Sequence, residues 1–240
     1  SANQTIWGTP TELMTRTQYT VWANNTGGSV SATLNITVND QVPGLSISPE
    51  NTTATNNTAI TTIAITTVGP GEIVTWEIEG ELPDGLTWTP ANQTIWGTPT
   101  ELMTTTQYTV WANNTGGSVS ATLNITVNDE VPTTLSYSNP DLLLTNNTAM
   151  TPHDPITTGP GAVVTWDIVG ELPEGITFNS TTGILSGTPT ELMTTTQYTI
   201  WANNTGGSIS TVINITVVDQ LPSLTYPLIS LELVVNTINS

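Results

Sequence analysis

Apolar and polar residues alternate along Gln107 to Asn113 and again along Ser118 to Val127, and Asn114-Thr-Gly-Gly lies between the two runs. A period of two is that of a half-buried strand, and the Asn and Gly residues suit a tight reversal. The pattern predicts a β-hairpin closing a β-domain. The whole stretch Glu101 to Asp129 occurs three times: Glu12 to Asp40 differs from it only at Arg16, and Glu191 to Asp219 at a few conservative positions. The chain is therefore built from one repeated unit of about 90 residues.

Upstream of the hairpin, the same alternation predicts strands at Leu45 to Ser48, Thr52 to Thr55, Ile60 to Thr66, Ile73 to Glu79, Leu86 to Trp88 and Gln93 to Trp96. Gly69-Pro-Gly, Leu82-Pro-Asp-Gly and Gly97-Thr-Pro mark turns among them. The next unit repeats this with Val163 to Val169, Leu172-Pro-Glu-Gly and Gln197 to Asn203. Seven or eight short strands per unit, with no helical period, argue for an all-β sandwich. Residues 1–42 are expected to be the C-terminal part of a repeat, 43–131 and 132–221 complete repeats, and 222–240 the first strand or strands of another. Each repeat begins after Asn-Asp-Gln-Val-Pro, Asn-Asp-Glu-Val-Pro or Val-Asp-Gln-Leu-Pro, where proline interrupts any strand ladder.

Composition narrows the functional classes. Nineteen acids against a single Arg and no Lys give a net charge of −18, which repels nucleic acid and anionic membrane surfaces. Cysteine is absent, so there are no disulfides or thiolate metal sites. No signal peptide and no apolar run of about 18 residues is present, so no membrane insertion is expected in this segment, and an export signal and anchor are expected outside it. The ends fall inside repeats, which predicts a longer chain with copies on both sides. Asn-x-Ser/Thr sequons begin at Asn3, Asn24, Asn35, Asn51, Asn56, Asn92, Asn113, Asn124, Asn146, Asn179, Asn203 and Asn214. Asn24, Asn113 and Asn203, in the hairpin turn, are the foremost glycosylation candidates because such a tip is expected to be accessible; Asn35, Asn124 and Asn214 lie within the last strand.

The ordered series Leu172-Pro-Glu-Gly-Ile-Thr-Phe, Thr182-Gly-Ile-Leu-Ser-Gly-Thr-Pro-Thr and Tyr198-Thr-Ile-Trp-Ala-Asn-Asn-Thr-Gly-Gly-Ser resembles the immunoglobulin-like, cadherin-like repeat family found in tandem in bacterial and archaeal surface proteins. It covers nearly the whole chain. The resemblance implies tandem immunoglobulin-like Greek-key sandwiches, arranged as beads on a string in adhesins, stalks and surface layers, and implies no enzymatic activity. This chain departs from the family in carrying Trp22, Trp111 and Trp201 at a usually polar strand position, and Trp7 and Trp96 where the second complete unit has Ser186.

Tyr108, Val110 and Ala112 share one strand face, as do Trp76 and Ile78, and these are expected to meet in the core. Tyr108, repeated by Tyr19 and Tyr198, resembles the tyrosine corner, its hydroxyl tying the strand start to backbone. Trp111, Trp22 and Trp201 are expected to point outward. Three readings stay open for them: lateral packing against like units, stacking on sugars together with Trp96, or partial cover by neighbouring Thr side chains. The linker acids Asp40, Asp129 and Asp219 invite comparison with interdomain calcium sites of cadherins, although only Asp129 has a second acid, Glu130, beside it. No other cofactor is expected. His153 is the one histidine and Ile63 replaces it in the previous unit, so no recurring catalytic constellation exists. The reading is a non-enzymatic structural segment of an extracellular filament, stalk or adhesin on a prokaryotic cell, with the sequon-rich, acidic surface pointing to an archaeal one. Its partners would be further copies of the repeat in a homopolymeric or laterally associated array, with cell-surface glycans as the alternative.

Overall fold

The computed structural model describes residues 5–225, and Asn3 and residues 226–240 lie outside them. The chain divides into two compact units, residues 1–130 and 131–240. Among the described residues there is no helix, so none that could cross a membrane.

The first unit opens with a hairpin of β1 (Met14–Asn25) and β2 (Gly28–Val38). A sandwich follows, made of β3 (Gly44–Ser48), β4 (Asn51–Thr55), β5 (Ile63–Val68), β6 (Thr75–Glu79), β7 (Leu86–Thr89), β8 (Thr94–Gly97), β9 (Met103–Asn114) and β10 (Gly117–Asn128). One sheet has the order β3-β5-β8-β7 and the other β4-β10-β9-β6. Pro49 separates β3 from β4, so the two halves of the first strand join different sheets. Every pairing is antiparallel except β4 with β10, which run parallel from Asn51↔Asn124 to Thr55↔Asn128. This is the two-sheet arrangement of an immunoglobulin-like sandwich.

Alternation along the strands is what places the core. Ile47, Ile63, Ile65 and Ile95 from one sheet meet Ala54, Tyr108, Val110, Leu123, Ile125 and Val127 from the other in a single buried cluster. Burying each aliphatic side chain contributes about 1.5–3 kcal/mol, which offsets the cost of ordering short strands.

The second unit repeats the plan with β11 (Thr134–Tyr137), β12 (Asp141–Thr145), β13 (Pro155–Thr158), β14 (Thr165–Val169), β15 (Ile176–Phe178), β16 (Leu185–Gly187), β17 (Met193–Asn204) and β18 (Gly207–Val218). The sheet β12-β18-β17-β14 is complete, and β12 again runs parallel to β18. The opposite layer consists of the pairs β11-β13 and β15-β16, joined by a bridge between His153 and Leu185. His153 is buried: its ring lies 5.0 Å from that of Tyr137, and Nε2 is 2.9 Å from the Asn139 carbonyl oxygen. It is a core residue where the first sandwich uses Ile63.

The two central tryptophans differ in burial. Trp76 and Trp166 pair with Ala112 and Ala202 respectively, so both face the core as expected. Trp166 is buried, whereas Trp76 is half-buried and meets Trp88 edge to face at 6.0 Å. Gly183, at φ +73°, lies against the Trp166 ring, where a Cβ would come within 2.6 Å of Cδ2. The first sandwich has Gln93 at the equivalent position, at φ +55°, and keeps its indole further out.

The tyrosine-corner expectation needs correction. The Tyr108 and Tyr19 hydroxyls lie 3.4 and 3.2 Å from the sulfur atoms of Met103 and Met14, rather than bonding backbone at the strand start. Only Tyr198 reaches backbone, donating to the Glu171 carbonyl at 2.8 Å, and Glu171 follows β14. The methionine of the same strand reaches the hydroxyl because a bulge recurs at the start of β1, β9 and β17.

Candidate functional site: the turn and linker of the first unit

The hairpin turn that closes each repeat is set by its own side chain. Asn114 Oδ1 accepts from the amides of Gly116 at 2.9 Å and Gly117 at 3.2 Å, leaving Thr115 and Gly116 as a two-residue loop. The linker that precedes the sandwich crosses this turn. The Asp40 amide donates to Thr115 Oγ1 at 3.0 Å, and Asn114 Nδ2 donates to the Gln41 carbonyl at 2.6 Å. The Asp40 carboxylate folds back: Oδ1 accepts from the Gln41 amide at 2.8 Å and Oδ2 from the Glu72 amide at 3.1 Å. Glycine makes the approach feasible. A Cβ on Gly116 would overlap the Asp40 carbonyl, one on Gly71 would overlap the Gln41 carbonyl, and one on Gly117 would stand 3.2 Å from Val42 Cγ2.

The donor set around Asp40 does not suit calcium. The ion takes six to eight oxygens, usually with more than one carboxylate, whereas here one carboxylate accepts two backbone amides. Among the described residues, no group of three or more His, Cys, Asp or Glu side chains is placed to hold a metal. The acids of the two Pro-Gly turns, Glu81 with Asp84 and Glu171 with Glu174, are exposed, and two further carboxylates cap those turns: Glu101 accepts from the Asp84 amide at 3.2 Å and Glu191 from the Glu174 amide at 3.1 Å.

The described sequon residues fall into five environments. Asn24 and Asn35 are exposed on β1 and β2, and Asn92 is exposed in the turn between β7 and β8. Asn113 and Asn203 sit at the ends of β9 and β17, their Nδ2 atoms donating to Thr75 Oγ1 at 3.3 Å and Asp167 Oδ2 at 2.8 Å. Asn124 and Asn214 donate across the parallel pairs, to Asn51 Oδ1 at 2.8 Å and Asp141 Oδ1 at 2.7 Å. Asn56 and Asn146 are half-buried with Oδ1 unsatisfied, while exposed Asn179 caps Thr181 and Thr182. An amide that carries a sugar keeps one N–H, so these cross-strand bonds are compatible with attachment. The tip holding Asn113 is more enclosed than its sequence implies, because Thr115, the sequon hydroxyl, accepts the Asp40 amide.

The repeated tryptophans lie on the outer faces. Trp111 is half-buried between Glu77 and Ser120, Trp201 is 37% exposed between Asp167 and Ser210, and Trp22 is 61% exposed opposite Ser31. Trp96 is on the other sheet, next to buried Ile95, and its Nε1 donates to Thr89 Oγ1 at 2.9 Å. Trp96 and Trp111 thus occupy opposite outer faces of the sandwich, and no single ligand can stack on both.

A family model described as "Putative Ig domain" matches residues 43–128 and 132–218. The "Serine-rich adhesin for platelets" of Staphylococcus aureus strain N315 is 29% identical over 207 residues, which is 81% of this chain and 8% of that protein. The protein of the same name from strain MRSA252 is 31% identical over 134 residues, 54% of this chain and 10% of the relative. Among solved structures, extracellular domains 3–5 of Drosophila OTK align with 86% of this chain and 72% of their own, at a TM-score of 0.44 and 19% identity. The I67–I69 fragment of titin aligns with 86% of this chain and 75% of its own, at 0.43 and 13%.

Proposed function

The chain belongs to the family described as "Putative Ig domain", and from that premise we propose that it is a structural repeat segment of an extracellular filament, stalk or adhesin on a prokaryotic cell surface. The observation that carries this reading is the Asp40 to Thr115 joint, in which the linker following one hairpin is held by side-chain and backbone bonds to the next sandwich. A freely hinged linker would have no need of such contacts. Resemblance to a staphylococcal protein named as an adhesin supports a surface location, although the chain spans only 8% of that relative's length.

The work of such a segment is mechanical and involves no reaction. The chain enters each sandwich through β3 or β11, continues at once into β4 or β12, and leaves from β10 or β18; β4 with β10 and β12 with β18 run parallel. Tension on the chain therefore pulls the paired strands in opposite directions along their length, loading all their hydrogen bonds together. The polar faces carry Thr, Asn and Ser rather than charge, and the sequons would clad them with sugar, with Asn24, Asn113 and Asn203 as the leading sites. Intact glycopeptide mass spectrometry of native material tests occupancy, and bare Asn at all three sites rejects it. Immunogold labelling of intact cells with antibody to residues 43–130 tests location; label at the surface is expected, and label only after permeabilisation overturns the reading.

Sugar or partner binding is the second reading, favoured by one arrangement. The Trp201 ring is partly exposed beside the Asp167 carboxylate, pairing an apolar platform with a hydrogen-bond acceptor. A glycan array distinguishes the two: binding that disappears in Trp201→Ala supports this reading, and no binding leaves the mechanical one.

A further inference from the structure

Side chains on the outer face of the sheet β12-β18-β17-β14 form rows, because residues two apart on one strand share a face and lie about 7 Å from each other. Asn203 stands in a row with Thr165 and Ser208, the next row holds Asp167, Trp201 and Ser210, and the one after it Val169, Thr199 and Val212. Asn214, in line with Gln197 and Asp141, closes the series. Two sequon asparagines therefore bracket two rows that contain three exposed apolar side chains: Val169 at 61%, Val212 at 42% and Trp201 at 37%. The first sandwich has the same indole, Trp111, but Glu79 and Thr122 where the second has Val169 and Val212, so its ground beside the ring is polar. The asparagines differ as well. Asn113 Nδ2 donates to Thr75 in its own row, at 3.3 Å, whereas Asn203 Nδ2 reaches across to Asp167 Oδ2, at 2.8 Å, in the row of Trp201.

We propose that an N-linked glycan on Asn203 packs its first pyranose on the Trp201 indole and extends over Val169 and Val212, so that the chain's own sugar covers this apolar face. The nitrogen that would carry the sugar already points into the row of the indole. Attachment joins Asn203 Nδ2 to the anomeric carbon of an activated glycosyl phosphate and breaks the anomeric C–O bond; the phosphate leaves, the displaced Nδ2 proton passes to base, and nothing is oxidised or reduced. A pyranose presents C–H groups on its faces and hydroxyls round its edge, which suits a ring flanked by the Asp167 carboxylate and the Ser210 hydroxyl. Asp167 keeps a donor, since a glycosylated amide retains one N–H and the sugar hydroxyls supply more. Another copy of this chain, at a net charge of −18, would bring carboxylates up to Asp141 and Asp167, whereas a neutral sugar brings none. The covalent tether raises the effective sugar concentration to the millimolar range, so a weak stacking contact suffices.

This inference rests on the glycosylation reading above, and its test keeps the two apart. Native protein is purified with its glycans, occupancy of Asn203 is read by intact glycopeptide mass spectrometry, and the sugar ring protons are followed by proton–carbon NMR. One set of sugar signals is expected to be shifted upfield by the ring current of Trp201 and to show nuclear Overhauser contacts with that indole. Trp201→Ala, produced in the same cells, should lose both effects while Asn203 stays occupied and the signals of buried Ile200 and Ile213 persist. Asn203→Gln, which keeps the indole, should remove the same set of sugar signals. Occupied Asn203 whose sugar shows neither shift nor contact, or a shifted set that survives in Trp201→Ala, overturns the inference and leaves glycosylation standing. Bare Asn203 also overturns it, and the glycosylation reading falls with it only where Asn24 and Asn113 are bare too.

Discussion

The backbone amide of Asp40 donates to the hydroxyl of Thr115, seventy-five residues further along the chain, at 3.0 Å. The bond matters because Asp40 belongs to the linker and Thr115 to the tip of the following sandwich. Asp40→Ala removes the carboxylate that caps the Glu72 and Gln41 amides. It should cost about 1 kcal/mol, since both bonds are solvent-exposed. Faster hydrogen exchange at Glu72, with no change at core amides such as Val110, would show the effect to be local. Unchanged exchange at Glu72 would show that the carboxylate holds nothing.

Because this joint is built from amides and one carboxylate, removing divalent cations should leave the chain's melting temperature and the Glu72 exchange rate unchanged. Chelation followed by calcium addition, monitored by calorimetry, checks this. A melting temperature that rises with calcium would mean that the linker acids act as ligands.

Gly183 and Gln93 predict opposite responses in the two sandwiches. Gly183→Ala places a methyl against the Trp166 ring at a positive φ, and should destabilise the second sandwich by about 2 kcal/mol or more. Gln93→Gly relieves a left-handed residue and should stabilise the first by roughly 0.5–1 kcal/mol. Trp166→Ala should cost about 3–5 kcal/mol, and half-buried Trp76→Ala less. Denaturant titration with residue-resolved NMR assigns each change to its sandwich.

Much of this architecture is legible in the sequence, for a physical reason. Strict alternation in Gln107 to Asn113 and Ser118 to Val127 fixes which side chains face inward, and Tyr108, Val110, Leu123 and Ile125 are buried as the pattern implies. Strand ends are less legible. The strand expected from Ile60 begins at Ile63, because the Ile60 amide bonds to the Gly97 carbonyl outside the ladder. The parallel pairing of β4 with β10 has no local signature, since Asn51 and Asn124 meet through topology alone. The joint is hidden for the same reason. Thr115 and Asp40 look like an ordinary turn residue and a solvated acid until the fold brings them together. The partners of the tyrosine hydroxyls are not legible either: a methionine sulfur lies near all three, at Met14, Met103 and Met193, yet only Tyr198 also reaches a backbone carbonyl.

Alkaline pH should separate the sandwiches further. Burial, then the nearby Asp154 charge, raises the Tyr137 phenol well above its usual value, and its hydroxyl donates to the Gly183 carbonyl. Tyr198 and Tyr108 are also raised, mainly by burial. A phenol whose folded pKa exceeds its unfolded value of about 10 favours the folded state fully below that pH and loses this contribution as pH rises towards the folded value. The second sandwich, with Tyr137 and Tyr198, should therefore lose stability above about pH 10 more steeply than the first, which has Tyr108 alone. Tyrosinate absorbance followed alongside NMR of each sandwich reads both events. Equal losses would remove Tyr137 as the cause.

Pulling the chain from its two ends in a single-molecule force experiment tests the mechanical account most directly. Residues 43–128 and 132–218 should give two separate unfolding events. Each should release roughly 300 Å of chain, about 3.3–3.6 Å for each residue freed. Each event should be abrupt, because β4 with β10 and β12 with β18 are loaded in shear. A smooth extension without distinct events, or strands peeling away in many small steps at low force, would contradict the claim that these repeats bear tension.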